Sequence, residues 1–140
     1  MEAMADIVSI DCTFNERGDG LTPGEFLAKV KEKYPNIIIM ADCATLEEAV
    51  TAYEAGADLV GSTMNGYTPQ TRDCKGEPNY ELVRDMVAAL PCPVIAEGRV
   101  HTPEQARKML QLGAWAVVVG GAITRPLEIA TRFMDAVKDL

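Results

Sequence analysis

Histidine occurs once in this chain, at His101, and the four cysteines (Cys12, Cys43, Cys74, Cys92) form no Cys-x-x-Cys pair. The ligand spacing of a structural zinc site is therefore missing, and the isolated thiols read as reduced side chains of a cytoplasmic protein. No apolar run approaches the 18 residues of a membrane-spanning helix, and nothing ahead of the first apolar run reads as a signal peptide. Basic residues are few, 13 against 21 acidic, giving a net charge of -8. That balance argues against a nucleic-acid partner, which needs a basic face. A phosphorylated small molecule stays open, because helix N-termini and backbone N–H groups bind anions whatever the overall charge. Low-complexity tracts and interdomain linkers are lacking as well. What remains is one soluble domain: 140 residues, long enough for a proper core.

Five times, an apolar strand-like run is followed by an amphipathic helical segment. The strands are expected at 6–11, 37–42, 58–63, 93–97 and 116–120, and their helices at 23–33, 45–55, 79–90, 103–112 and 126–140. Helix starts are marked by Thr22-x-x-Glu25, Thr45-x-x-Glu48 and Thr102-x-x-Gln105, each a capping box, two of them with proline at the first helical position. Gly56 and Gly113 stand where a left-handed C-terminal residue belongs. Apolar stripes run along Leu46, Ala49, Val50 and Tyr53, along Leu82, Val83, Met86, Val87 and Leu90, and along Ile129, Phe133, Val137 and Leu140. Trp115 and the methionines read as packing. An offset of 57 residues separates Thr45 from Thr102 and Gly56 from Gly113, the echo expected of a repeated β/α unit. The fold class that follows is α/β, an incomplete TIM-type (β/α) barrel of about five units in one domain, 1–140. A closed barrel needs eight units and usually ~200 residues or more. The open layer would leave two unpaired edges that invite association, so a homo-oligomer or a complementing barrel fragment is expected.

In such barrels the chemistry sits where the strands end, and the last loops commonly hold phosphate. Ile95-Ala96-Glu97-Gly98-Arg99-Val100 ends a strand on a carboxylate, which makes Glu97 a general acid/base candidate with a pKa raised by desolvation. Asp11 and Asp42 end two other strands; Asp11 joins Glu97 as a candidate catalytic carboxylate, and Asp42 is a candidate for binding substrate hydroxyls or steadying a catalytic group. Gly98, Gly120 and Gly121 permit close backbone approach to an anion and tolerate positive φ. Arg99 and Arg125 can add bidentate contacts to phosphate. Thr63, a further substrate contact, opens the longest loop, Thr63-Met-Asn-Gly66-Tyr-Thr68, a segment able to fold over a ligand. His101, beside a helix cap, reads as a surface residue.

These blocks resemble the N-acetylmannosamine-6-phosphate 2-epimerase family, bacterial amino-sugar epimerases of sialic acid breakdown. The resemblance is carried by Asp11-Cys-Thr, Met40-Ala41-Asp42, Thr45-Leu-Glu-Glu48, Gly66-Tyr67-Thr68, Ala96-Glu97-Gly98-Arg99 and Val119-Gly120-Gly121-Ala122-Ile123-Thr124-Arg125-Pro126, over nearly the whole chain. It implies a ribulose-phosphate-binding type barrel of which this chain supplies the fourth to eighth units. It also implies interconversion of N-acetylmannosamine 6-phosphate and N-acetylglucosamine 6-phosphate, with no metal or organic cofactor. Glu97 would fill one acid/base role and Asp11 and Arg17 would hold the sugar. Backbone N–H groups near Gly98, Arg99, Gly120 and Gly121 would bind phosphate, with Arg125 nearby. Three departures stand out. The family's catalytic lysine belongs to a third strand ahead of these five units, a second arginine after the first strand is replaced in Phe14-Asn15-Glu16-Arg17, and Ser-Gly-Tyr-Thr reads Asn65-Gly66-Tyr67-Thr68. Loss of one member of an acid/base pair costs orders of magnitude in rate, so the isolated chain is expected to be impaired. A phosphosugar-binding module without turnover, and another phosphate-binding barrel enzyme, are the alternatives.

Overall fold

The computed structural model describes residues 5–139. Five parallel strands, β1 (Ile7–Asp11), β2 (Ile38–Asp42), β3 (Leu59–Gly61), β4 (Val94–Glu97) and β5 (Ala116–Val118), form one sheet in the order of the chain. They alternate with helices α1 (Pro23–Lys33), α2 (Leu46–Glu54), α3 (Tyr80–Ala89) and α4 (Pro103–Gln111), followed by α5 (Gly121–Thr124) and α6 (Pro126–Val137). A parallel crossover is right-handed almost without exception. Strands that advance in sequence without reversal therefore keep every helix on one side of the sheet, as in a barrel wall. Here the wall is open, with β1 and β5 at its edges.

Local sequence dictates each helix start. The three capping boxes form as expected: Thr22, Thr45 and Thr102 accept from the backbone N–H of Glu25, Glu48 and Gln105, and those side chains return to the cap residue's N–H. Asn79 caps α3 through the Leu82 N–H. Gly56 and Gly113 adopt the positive φ assigned to them. The core lies between β1–β4 and α1–α3, around Leu27, Ile39, Val60 and Met86, all fully buried, and a smaller cluster joins Val83, Ala96 and Met109 under α4.

The C-terminal fifth departs from expectation. Strand β5 stops at Val118, and Gly121–Thr124 forms a separate short helix before Pro126 restarts the chain. The stripe on α6 exists but is not buried: Phe133 is 73% exposed, and Leu127 and Val137 are also exposed. Leu140 lies outside the described residues. Trp115, expected in the packing, is 69% exposed, and Met134 is exposed too. The cause is common to all of them. Among the described residues nothing lies beyond β5 to cover that flank.

One buried charge ties the loops together. Glu48, only 2% exposed, accepts from the N–H groups of Phe14 (2.8 Å), Ala44 (2.7 Å) and Thr45 (3.0 Å). It thus joins the β1–α1 loop to the β2–α2 turn. Hydrogen bonds to charged groups contribute roughly 1.5–3 kcal/mol, and buried donors left unpaired cost more. Glu48→Ala is therefore expected to lower stability by about 3 kcal/mol in urea denaturation, with Glu48→Gln intermediate because one of its two terminal atoms is a donor. An alanine variant within about 0.5 kcal/mol of wild type would contradict this account.

Candidate active site

Unslipped register brings the strand ends to one rim: Asp11 pairs with Asp42, Asp42 with Gly61, and Glu97 with Val118. On that rim a cavity of about 490 Å³ is lined by Thr63, Tyr67, Glu97, Gly98, Arg99, His101, Gly120, Gly121 and Arg125, among others. Glu97 and the Gly120-Gly121 pair therefore share one mouth.

Glu97 is fixed at both ends of its own backbone by Ser62, whose Oγ accepts from the Glu97 N–H (3.0 Å) and donates to its carbonyl (2.9 Å). Its half-buried carboxylate is 3.3 Å from Thr63 Oγ1. Burial pushes the Glu97 pKa above the ordinary glutamate range, and the negative charge of Asp42 pushes it further, against an opposing hydrogen bond from Thr63. Asp42 sits behind Thr63 and outside the cavity lining: its carboxylate accepts from Thr63 Oγ1 (2.7 Å) and from Ser9 Oγ.

Gly98, at φ 106°, and Arg99, at φ 58°, make a left-handed turn beneath the mouth. Arg99 is the one described non-glycine residue at positive φ, a conformation that costs energy and is held by its surroundings. Those surroundings are visible. Its guanidinium donates to the carbonyl of Asn65 (2.6 Å), to Asn65 Oδ1 (2.9 Å) and to the carbonyl of Glu77 (3.1 Å). The bidentate anion contact expected of this side chain is thus replaced by a clamp on the β3–α3 loop, and the main-chain N–H is what Arg99 retains for a ligand. Asn65 in turn donates to the Ala44 carbonyl, so the departure from serine at this position gives the buried loop a longer, two-ended linker.

Gly120 and Gly121 tolerate positive φ but do not use it; Gly120 has φ -94° and ψ -104° and opens α5. As in any helix, the first N–H groups of α5 have no partner within it. Arg125 stands over this turn, largely exposed, and pairs with Glu128 at 2.7 Å.

Besides Asp42, two further expected site residues are not brought to the mouth. Asp11 turns back to accept from the Thr13 N–H (2.9 Å) and Oγ1 (2.7 Å), the loop-capping habit of aspartate. Arg17 is drawn off by Asp19 at 3.2 Å and by the face of Phe26, 3.9 Å from the ring centre, in a separate cavity between the β1–α1 loop and α1. The neighbouring Cys12 is buried, and burial first, then Asp11 and Asp42, pushes its thiol up to about 12, which disfavours the reactive thiolate. Conversely, Asn65 and Tyr67, marked in the sequence only as parts of a loop and of the resemblance, contact Arg99 and line the cavity, respectively. Ser62 and Glu128 are additions, of which only Ser62 has a signal in the sequence, as a hydroxyl directly after a buried strand.

A raised pKa is a statement about stability. The folded state holds the Glu97 proton more tightly than the unfolded chain, so the contribution is favourable below the unfolded glutamate value and is lost as pH rises through the folded one. Glu97→Gln imitates the protonated acid and removes that loss. It is expected to melt above wild type at pH 8, with the gap closing as pH falls below about 4. A gap independent of pH in paired thermal melts would refute the assignment.

Residues 1–139 match the family model described as "NanE: Putative N-acetylmannosamine-6-phosphate epimerase". A curated relative from Caldanaerobacter subterraneus subsp. tengcongensis, named "Putative N-acetylmannosamine-6-phosphate 2-epimerase", is 50% identical over 139 residues, covering 99% of this chain and 58% of the relative. One of the same name from Cutibacterium acnes is 47% identical over 138 residues, covering 97% and 59%. The solved N-acetylmannosamine-6-phosphate 2-epimerase of Clostridium perfringens superposes with a TM-score of 0.87 at 38% identity, over 96% of this chain and 57% of that one. The chain thus spans somewhat under three fifths of the length of each of these proteins. With nearly every residue of the chain inside the match and the same strand-by-strand architecture, it belongs to the N-acetylmannosamine-6-phosphate epimerase family.

Proposed function

We propose that this chain supplies the phosphate-binding side and one acid/base group of an amino-sugar-phosphate 2-epimerase acting on N-acetylmannosamine 6-phosphate and N-acetylglucosamine 6-phosphate. The observation that carries this reading is the shared mouth: Glu97, the Gly98-Arg99 turn, Gly120-Gly121 and Arg125 line one cavity of a size suited to a small ligand. Epimerisation at C2 of the open-chain aldehyde removes the C2 proton and sends that electron pair toward the carbonyl oxygen. A proton then returns to the opposite face of C2 as the aldehyde re-forms. A carboxyl held above the ordinary range suits one of those transfers near neutral pH. The phosphate would lie on the main-chain N–H groups of the Gly98-Arg99 turn and of the first turn of α5, with Arg125 adding charge. Distance from C2 lets phosphate binding fix the sugar while the chemistry proceeds at the Glu97 end.

The second acid/base group belongs, by the resemblance, to a lysine on a strand outside these five. In this reading the open edges, where Ile7 and Ile38 on one flank and Trp115 on the other are exposed, are covered by a β/α segment or by a second copy of the chain. The compartment is the cytoplasm. The four cysteines are free, and none of the described helices is long and apolar enough to cross a membrane.

Two measurements test the reading. In deuterated buffer, proton NMR of either sugar phosphate should show loss of the C2 proton when the chain is combined with a fragment carrying the lysine-bearing units. Glu97→Gln should slow that loss at least ~100-fold. Phosphosugar binding in calorimetry with no exchange in any combination would leave a binding module instead. Separately, Glu128→Gln frees Arg125 from its exposed pair, and inorganic phosphate should bind a few-fold more tightly as a result. An unchanged or weaker affinity would remove Arg125 from the phosphate site.

A further inference from the structure

We propose that Thr63 and Asp42 are positioning residues that hold Glu97 in its neutral, proton-donating form, and that Gly61 keeps open the space in which they meet. The proposal takes its chemical purpose from the acid/base reading above, but its geometry and its test stand apart from turnover.

A threonine hydroxyl has one proton to give and lone pairs to receive. Thr63 Oγ1 is 2.7 Å from Asp42 Oδ1 and 3.3 Å from Glu97 Oε2. The shorter contact, to a carboxylate, takes the proton, since charge-assisted hydrogen bonds are the shorter and stronger ones. The other oxygen of Asp42 accepts from Ser9 Oγ, so both Asp42 oxygens are served by hydroxyl donors. With its proton committed to Asp42, Thr63 turns a lone pair toward Glu97. An ionised Glu97 would then set lone pair against lone pair; a protonated Glu97 completes the chain Glu97 to Thr63 to Asp42.

The remaining surroundings agree. Burial and then the charge of Asp42 raise the Glu97 pKa. The hydrogen bond from Thr63 that would lower it requires a proton already given to Asp42. From the other elements, Tyr67 of the β3–α3 loop, His101 after β4, and Arg125 and Glu128 around α6 line the same cavity. Arg125 is paired with Glu128 and Arg99 is turned to Asn65 and Glu77. Among the described residues no cation forms a salt bridge with Glu97. Gly61 completes the arrangement: a Cβ there would stand 2.5 Å from Met40 Cε, 2.9 Å from Thr63 Oγ1 and 3.5 Å from Asp42 Oδ1, and of these the methionine terminus is the part best able to move aside.

The cycle is balanced without net consumption of a proton. When Glu97 gives its proton to the substrate, the Thr63 hydroxyl rotates and donates to the new carboxylate, while Ser9 continues to donate to Asp42. Reprotonation of Glu97 by the next proton removed, or by water, returns Thr63 to Asp42.

The test uses the chain itself, with its glutamate carboxyl carbons labelled with 13C and Glu97 assigned by difference from Glu97→Gln. Carbon NMR gives the titration midpoint of Glu97, and infrared spectroscopy below that midpoint gives the C=O stretch of its neutral acid. The wild-type midpoint is expected above the ordinary value of about 4.3. Asp42→Asn should make Glu97 about tenfold more acidic, since the like charge is gone. Thr63→Ser should leave midpoint and stretch in place. Thr63→Val should shift the stretch to the higher frequency of an acid whose O–H has no acceptor. A midpoint unmoved by Asp42→Asn, or a stretch identical in the serine and valine variants, overturns the proposal. If Thr63→Val does not fold, the near-isosteric Asp42→Asn and Thr63→Ser decide it. Coupled titration without C2 exchange would sink the epimerase reading and leave the proposal standing; C2 exchange without coupling would do the reverse.

Discussion

Parallel pairing without slippage is the constraint on which the rest depends. Asp11, Asp42, Gly61 and Glu97 are far apart in the chain, and none would meet another without the ladder that sets Asp11 against Asp42, Asp42 against Gly61, and Val60 against Val94. A one-residue slip in a strand sends every side chain to the opposite face. Such a slip in β2 would carry Asp42 away from Thr63 and bury its charge among the helices. The apolar residues that fill the helix side, Ile39 and Val60 with Leu27 and Met86, therefore do more than stabilise the fold. They fix the register, and the register fixes the electrostatics around Glu97.

The parts of this arrangement that sequence reveals are those set by local rules. Thr22, Thr45 and Thr102 announce helix starts because a hydroxyl at the cap and a carboxylate or amide three residues on satisfy each other whatever lies around them. Gly56 and Gly113 follow from the left-handed turn that ends a helix, and Glu97 follows from its place after a buried strand. The parts that stay hidden are choices between partners. Arg99 and Arg125 look alike in sequence, yet one is spent on Asn65 and Glu77 and the other stands at the surface with Glu128. Asp11 and Asp42 end adjacent strands, yet one caps its own loop and the other reaches across the sheet. Long-range geometry decides such cases, and no spacing encodes it. The apolar stripe of α6 is a third kind of miss. Periodicity correctly marks a face that is apolar, but it says nothing about whether the face is covered.

Charge at the mouth is arranged in opposition. Toward β2 and β3, Asp42 and burial make negative charge on Glu97 costly; toward α5, unpaired N–H groups and Arg125 make negative charge welcome. A ligand with an anion at one end and an exchangeable proton at the other is oriented by that contrast before any specific contact forms. Under the proposed function, the same contrast is how a chain with a net charge of -8 would attract phosphate. The field that matters is that of the last two loops, where the Glu128 carboxylate is paired with Arg125.

The two ends of the site differ in how firmly they are built. Glu97 is anchored by a buried strand, by both hydrogen bonds of Ser62 and by the cluster around Val83, Ala96 and Met109. The α5–α6 segment has no buried residue, and its large apolar side chains, Leu127 and Phe133 among them, face outward. Apolar area contributes about 25 cal/mol per Å² once removed from water. A β/α segment or second copy covering α6, as in the proposed function, would therefore stabilise the turn that carries Gly120, Gly121 and Arg125. Under the proposed function, covering the open flank and stabilising the proposed anion-binding turn are for this reason one thermodynamic event. A ligand whose phosphate holds that turn must favour the covered form to the same degree that covering favours the ligand, because the coupling between two equilibria is reciprocal.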